Sequence, residues 1–165
     1  MIAPRLFRIP LDGTGRLFTM AAPRGGDWLS DEMVGMSRLG VDVLVSLLTP
    51  RENWELSLEA EPQAAADAGL QFIVLPTSDR GTPDAGMAKI VAQSLLDEIL
   101  AGRGVAIHCR AGIGRASLLA ACVLTLDGMA AADAWQRISG ARGLPVPDTD
   151  EQRRFVANFA VQLPN

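Results

Sequence analysis

Cys109 and Arg115, with five residues between them, are the pair in this sequence whose types and spacing could do covalent chemistry. The segment reads His108-Cys109-Arg110-Ala111-Gly112-Ile113-Gly114-Arg115-Ala116-Ser117. Gly112 and Gly114 let the backbone curl, so that the amides of Arg110, Ala111, Gly112, Ile113, Gly114 and Arg115 can turn inward on one anion. A helix predicted to start at the end of the segment adds the positive end of its dipole. The Arg115 guanidinium can take two oxygens of a phosphate in a bidentate fork. The same fields stabilise a thiolate at Cys109 and lower its pKa. The chemistry is therefore attack by sulfur on a bound tetrahedral dianion. His108 is the only histidine, so a Ser-His-Asp triad has little to draw on, whereas a low-pKa thiolate needs no separate histidine base. Spacing alone is a weak signal. The flanking strand and helix and the two internal glycines give it weight. Cys122 lies in the apolar run Leu119-Ala120-Ala121-Cys122-Val123 and reads as a core residue, too far along the helix to bridge to Cys109.

Cleaving a phosphate ester needs a proton for the leaving oxygen, and a carboxylic acid is the usual donor. Asp79 in Pro76-Thr77-Ser78-Asp79-Arg80-Gly81 is the candidate, although Asp-Arg-Gly is also ordinary turn chemistry. Asp84 competes. Its place in the first turn of a helix favours a dipole role instead.

Both segments must be held by larger elements. Short apolar or alternating runs predict strands over 5–9, 16–20, 41–48, 71–75 and 105–107. Helices are predicted over 30–39 with Ser30 as cap, 62–68 closed by Gly69, 116–126 and 131–139. A long one runs to about Ala101, with Thr82 as cap, Pro83 at its first position and a core stripe of Ile90, Leu95, Leu96, Ile99 and Leu100. Asp148 and Glu151 read as a capping box for a last helix ending near Val161. Strands alternating with helices predict an α/β fold, a central mostly parallel sheet flanked by helices. In such sheets sites lie at the carboxyl ends of strands. The loops after Leu75 and after Ile107 fit that rule, and they face each other if their strands are neighbours.

The bulk properties narrow the class. A chain of 165 residues without an internal linker reads as one domain, 1–165, large enough for a real core. A net charge of -4 and no Lys/Arg-rich run argue against a nucleic-acid partner. Two cysteines make no disulfide framework and suit the cytoplasm. The start Met1-Ile2-Ala3-Pro4-Arg5 lacks a signal-peptide pattern, and the apolar run from Leu118 to Leu126 is too short to span a membrane. Trp28, Trp54 and Trp135 are read as core residues, with a groove lining as the alternative. Oligomeric state is not legible.

The segment from His108 to Arg115 resembles the active-site loop of the cysteine-based protein tyrosine/dual-specificity phosphatase superfamily. Within it the segment resembles the dual-specificity branch, especially the compact kinase-associated-phosphatase-like enzymes. The stretch from Leu75 to Asp84 resembles that branch's acid loop, and Gly40 to Leu48 and Ala141-Arg142-Gly143 to Phe155 add to the likeness. The resemblance implies that Cys109 attacks phosphorus while Asp79 protonates the leaving oxygen. Water then resolves a phosphocysteine with Asp79 as base. No metal or other cofactor is implied, and the substrate is a phosphorylated protein or peptide. The loop interior has no lysine, which favours phosphoprotein over phosphoinositide. One departure stands out. The family's Ser or Thr directly after the arginine is Ala116 here, and Ser117 points about 100° further round the helix. Slow hydrolysis of the phosphoenzyme follows from that. The alternatives are a pseudophosphatase that binds phosphorylated partners, a rhodanese- or Cdc25-like thiolate enzyme, and a redox or arsenate-reducing role.

Overall fold

Short apolar runs form the strands, and stretches with helical periodicity form the helices between them. The computed structural model describes residues 3–164. Met1, Ile2 and Asn165, on which the N-terminal reading and the outer domain limits partly rest, lie outside the described residues. The elements are β1 (Phe7–Ile9), β2 (Arg16–Met20), a 3-10 turn (Gly26–Trp28), α1 (Leu29–Arg38), β3 (Val43–Ser46), α2 (Pro50–Glu55) and α3 (Glu61–Asp67). They continue with β4 (Gln71–Val74), α4 (Ala85–Leu100), β5 (Gly104–His108), α5 (Arg115–Leu126), α6 (Ala131–Arg142) and α7 (Asp150–Val161).

The strands form one sheet in the order β1-β2-β5-β3-β4. Among the described residues only the β1–β2 pair is antiparallel; β2–β5, β5–β3 and β3–β4 are parallel. This is the predicted α/β architecture with a mostly parallel sheet. All residues of β3 and β5 are buried, as expected of inner strands covered on both faces. Leu17, Val43, Val45, Val105 and Ile107 face a core completed by α4, α5, α6 and α7. Phe18, Met20, Leu44 and Ala106 face a second core completed by α1 and α3. Among the described residues no helix is long and apolar enough to cross a membrane.

The parallel register aligns Met20 with His108, His108 with Ser46, and Ser46 with Val74. Four loops therefore leave the sheet at one end. The two predicted loops are not on adjacent strands, because β3 lies between β4 and β5. The β3 exit joins them: Leu47 N donates to His108 O at 3.0 Å, and Thr77 N donates to Leu47 O at 3.0 Å.

Several local expectations shift. Ser30 lies inside α1 rather than capping it, because the 3-10 turn runs straight into that helix. The long helix is capped by Asp84, not Thr82: the Asp84 carboxylate accepts from Met87 N at 2.9 Å, a charge-assisted bond. Its buried stripe is Ala88, Val91, Ala92, Leu95, Leu96 and Ile99. Ile90 falls about 200° from Ala88 and is 65% exposed, and Leu100 at the helix end is 68% exposed. The last capping box is Thr149 with Gln152, one residue beyond the predicted pair. Trp135 is in the core, whereas Trp28 and Trp54 are 54% and 70% exposed. Helix α2 is absent from the predicted elements, although Thr49-Pro50-Arg51-Glu52 carries a capping box with proline at the first position.

Candidate active site

The strand β5 delivers His108 and Cys109 to the carboxyl end of the sheet, and α5 begins six residues after Cys109 with Arg115. Glycine is required twice in between. Gly112 has a φ of +71°, and a Cβ there would sit 2.6 Å from the Met20 carbonyl carbon. A Cβ on Gly114 would sit 2.3 Å from Asp148 Oδ2 and 2.9 Å from Gln152 Oε1. The loop is thus wedged between the end of β2 and the start of α7. Cys109 is 3% exposed at its base.

Arg115 is fixed from the other strand ends. Its Nη1 donates to Glu52 Oε1 at 2.7 Å and to Thr77 O at 2.8 Å. Its Nη2 donates to Glu52 Oε2 at 2.9 Å and to Asp79 Oδ1 at 3.4 Å. Burial pulls the Arg115 pKa down, but the Glu52 bonds and the charges of Cys109, Glu52 and Asp79 outweigh it, and the net shift is upward. The bond from Arg115 holds the Glu52 carboxyl below its ordinary range, against a smaller opposing effect of burial. The Nε–H of Arg115 and, once Asp79 moves, one Nη2 hydrogen remain for an anion.

The structure brings Asp79 and Arg115 into contact across 36 residues of sequence. The Asp79 side chain is 68% exposed, in a turn where Arg80 has a φ of +60°. Asp84 is occupied as the α4 cap, its carboxylate accepting from Met87 N. Arg110 points its guanidinium to Glu55 Oε2 at 3.0 Å, and its carbonyl accepts from Ala22 N at 3.1 Å. Ala116 is fully buried. The buried Ser117 Oγ has no hydrogen-bond partner, so it does not donate to Cys109. Cys122 is free and fully buried, and burial pushes its thiol well above the ordinary range. Among the described residues no group of three or more His, Cys, Asp or Glu side chains is disposed to hold a metal ion.

Sequence reasoning did not find Glu52, Arg142 or Gln152. Glu52 was detectable only as the fourth residue of a capping box. Arg142 ends α6 and braces the back of the loop, donating from Nε to Gly112 O at 3.1 Å and from Nη2 to Ala111 O at 3.3 Å. Gln152 is fully buried and donates from Nε2 to Gly81 O at 3.1 Å, tying the loop that carries Asp79 to α7.

Residues 14–156 match the family described as Swiss Army Knife protein, DSP-PTPase phosphatase domain. A curated relative, rat cyclin-dependent kinase inhibitor 3, is 31% identical over 90 residues, covering 53% of this chain and 42% of that protein. The matched segment is thus less than half of that relative's length. The crystal structure of kinase associated phosphatase, with its catalytic-site cysteine replaced by serine, superposes with a TM-score of 0.86 at 18% identity, covering 98% of this chain and 96% of that one. Tk-PTP in its active form gives 0.78 at 20% identity, covering 94% and 97%. At those identities the likeness is one of fold.

Proposed function

The chain belongs to the DSP-PTPase phosphatase domain family whose signature it matches over residues 14–156, and from that premise we propose that it is one cytoplasmic phosphatase domain hydrolysing phosphoproteins through a phosphocysteine. The observation that carries this reading is the Arg115 guanidinium, anchored by Glu52 and Thr77 O while it touches Asp79. A substrate phosphate takes the loop amides of residues 110–115 together with Nε and Nη2 of Arg115. In doing so it displaces Asp79 from Nη2 and frees the carboxyl for the leaving oxygen. Cys109 attacks phosphorus as thiolate, the P–O bond breaks, and Asp79 gives its proton to the departing oxygen. Water then attacks the phosphocysteine with Asp79 as base, while Arg115 and the amides hold the equatorial oxygens in both steps. Arg110 spends its charge on Glu55 and Glu52, which keeps the mouth of the site from being strongly basic. That supports phosphotyrosine, and also phosphoserine or phosphothreonine, in a protein over a polyanionic lipid head group.

A second reading rests on Ala116 and on the unpartnered Ser117 hydroxyl. With no hydroxyl on the sulfur, the thiolate is a poorer leaving group in the second step, and the domain retains phosphate longer than it releases it. Stopped-flow mixing with p-nitrophenyl phosphate near pH 6 tests both. The expected result is a burst of nitrophenol followed by slow turnover, with no release by Cys109→Ser and a slower burst in Asp79→Asn. Faster steady-state turnover in Ala116→Ser locates the slow step. Full activity in Cys109→Ser would refute the mechanism, and phosphate binding with no burst in the wild type would leave the binding module.

A further inference from the structure

The two arginines at the ends of the loop after Cys109 each meet a carboxylate from one short helix. Glu52 and Glu55 lie three residues apart on α2 and so share a face of it. Glu52 takes Arg115 in a buried bidentate pair. Glu55 takes Arg110, whose Nη1 donates to Glu55 Oε2 at 3.0 Å. The second oxygen of Glu55 accepts from Nε of Arg51, one turn back on α2, at 3.1 Å. Each oxygen of Glu55 thus has a cation on it, and the bonds from Arg110 and Arg51 hold its carboxyl below the ordinary range. The two glutamates differ in access. The Glu52 side chain is 9% exposed, whereas those of Glu55 and Arg110 are 34% and 47% exposed, within reach of a bound ligand.

We propose that Glu55 is a specificity-determining residue: by occupying Arg110 it makes the site discriminate against a phosphorylated residue flanked by a second anionic group. This rests on the phosphatase reading and deepens it. An unmasked Arg110, directly after Cys109 in the chain, would offer a guanidinium to an acidic or phosphorylated neighbour of the residue being dephosphorylated. With Glu55 in place, that neighbour has to displace a carboxylate already held by two cations, and it meets the like charge of Glu55 as it approaches. The other charged groups around the loop are placed differently. Arg142 is spent on the carbonyls of Ala111 and Gly112. Glu61 is fully buried against His108, with 2.6 Å between Oε1 and Nε2, and so does not face a ligand. Arg80 lies in the turn that carries Asp79, on a different loop.

Two fluorescein-labelled phosphotyrosine peptides test this, identical except that both neighbours of the phosphotyrosine are glutamine in one and glutamate in the other. Their dissociation constants are read by anisotropy on Cys109→Ser protein, which has no nucleophile to consume them. When Glu55→Gln is added, the glutamate peptide should gain about fivefold in affinity relative to the glutamine peptide, the scale of one exposed charge pair. The gain should vanish when Arg110→Gln is added as well. An unchanged ratio in the Glu55→Gln protein would overturn the proposal. So would an equal gain with and without the Arg110 side chain, since Glu55 would then act on the peptide directly. Failure of both peptides to bind the folded protein would remove it too. The phosphatase reading is judged separately, by nitrophenol release from protein with Cys109 intact. Release with an unmoved peptide ratio sinks the role of Glu55 alone. The expected ratios without any release keep that role and leave a binding module in place of the enzyme.

Discussion

Cys109 and Cys122 are the same residue type with opposite surroundings. Cys109 opens the loop that leads from β5 to Arg115, whereas Cys122 is fully buried within α5, next in sequence to Ala121 and Val123. Burial raises the Cys122 thiol far from the reactive range, since nothing nearby compensates a thiolate. Native protein at neutral pH should therefore take up one equivalent of iodoacetamide, at Cys109, and Cys109→Ser should take up none, as read by intact mass. The proposed nucleophile is legible in the sequence because its chemistry is local: a cysteine, two glycines and an arginine within seven residues. The state of Asp79 is not. An Asp-Arg-Gly turn reads the same whether or not a guanidinium waits across the sheet, and only the fold puts Arg115 at 3.4 Å.

At the scale of elements, α7 has a role that its sequence does not announce. The amide of Gln152 accepts from Asp148 N and Thr149 N, which starts the helix, and its Nε2 donates to Gly81 O, which holds the loop of Asp79. Replacing Gln152 by alanine should let that loop swing. The cost should fall on substrates that most need the acid: about tenfold in the rate of phosphoenzyme formation with phenyl phosphate and little with p-nitrophenyl phosphate, whose leaving group needs less protonation. Equal losses on both substrates would mean that Gln152 supports the phosphate loop rather than Asp79. The helix starts that differ from the sequence pattern share one cause: Thr82, Asp84, Asp148 and Thr149 are all good cap types, and which one caps depends on where the preceding loop is pinned. The overestimated stripe of α4 has a simpler cause. Ile90 is apolar but lies on the wrong side of the 3.6-residue turn.

Across the whole molecule, Glu52 and Arg115 join α2 to α5 through a buried bidentate pair at 2.7 and 2.9 Å. The folded pKa of Glu52 is depressed, so its contribution to stability is present above the unfolded value, near about 4.3, and is lost as pH falls through the lower folded value. Glu52→Gln should cost about 3–5 kcal/mol at pH 7, because it leaves Arg115 buried with half its partner. In urea titrations at pH 7 and pH 3 the variant should lose less stability between the two than the wild type does. An unchanged difference would mean that the acid sensitivity comes from other carboxylates. The sequence by itself determined the alternation of strands and helices, the mostly parallel sheet and the Cys-x5-Arg loop, because periodicity, chain punctuation and close spacing are encoded in neighbouring residues. Tertiary structure decided the strand order that sets β3 between the two loops, the reach of Asp79 to Arg115, and the partners Glu52, Arg142, Gln152 and Glu61. Those four lie on separate helices, and no local pattern marks a charged or amide side chain for a partner that only the folding of the sheet brings to it.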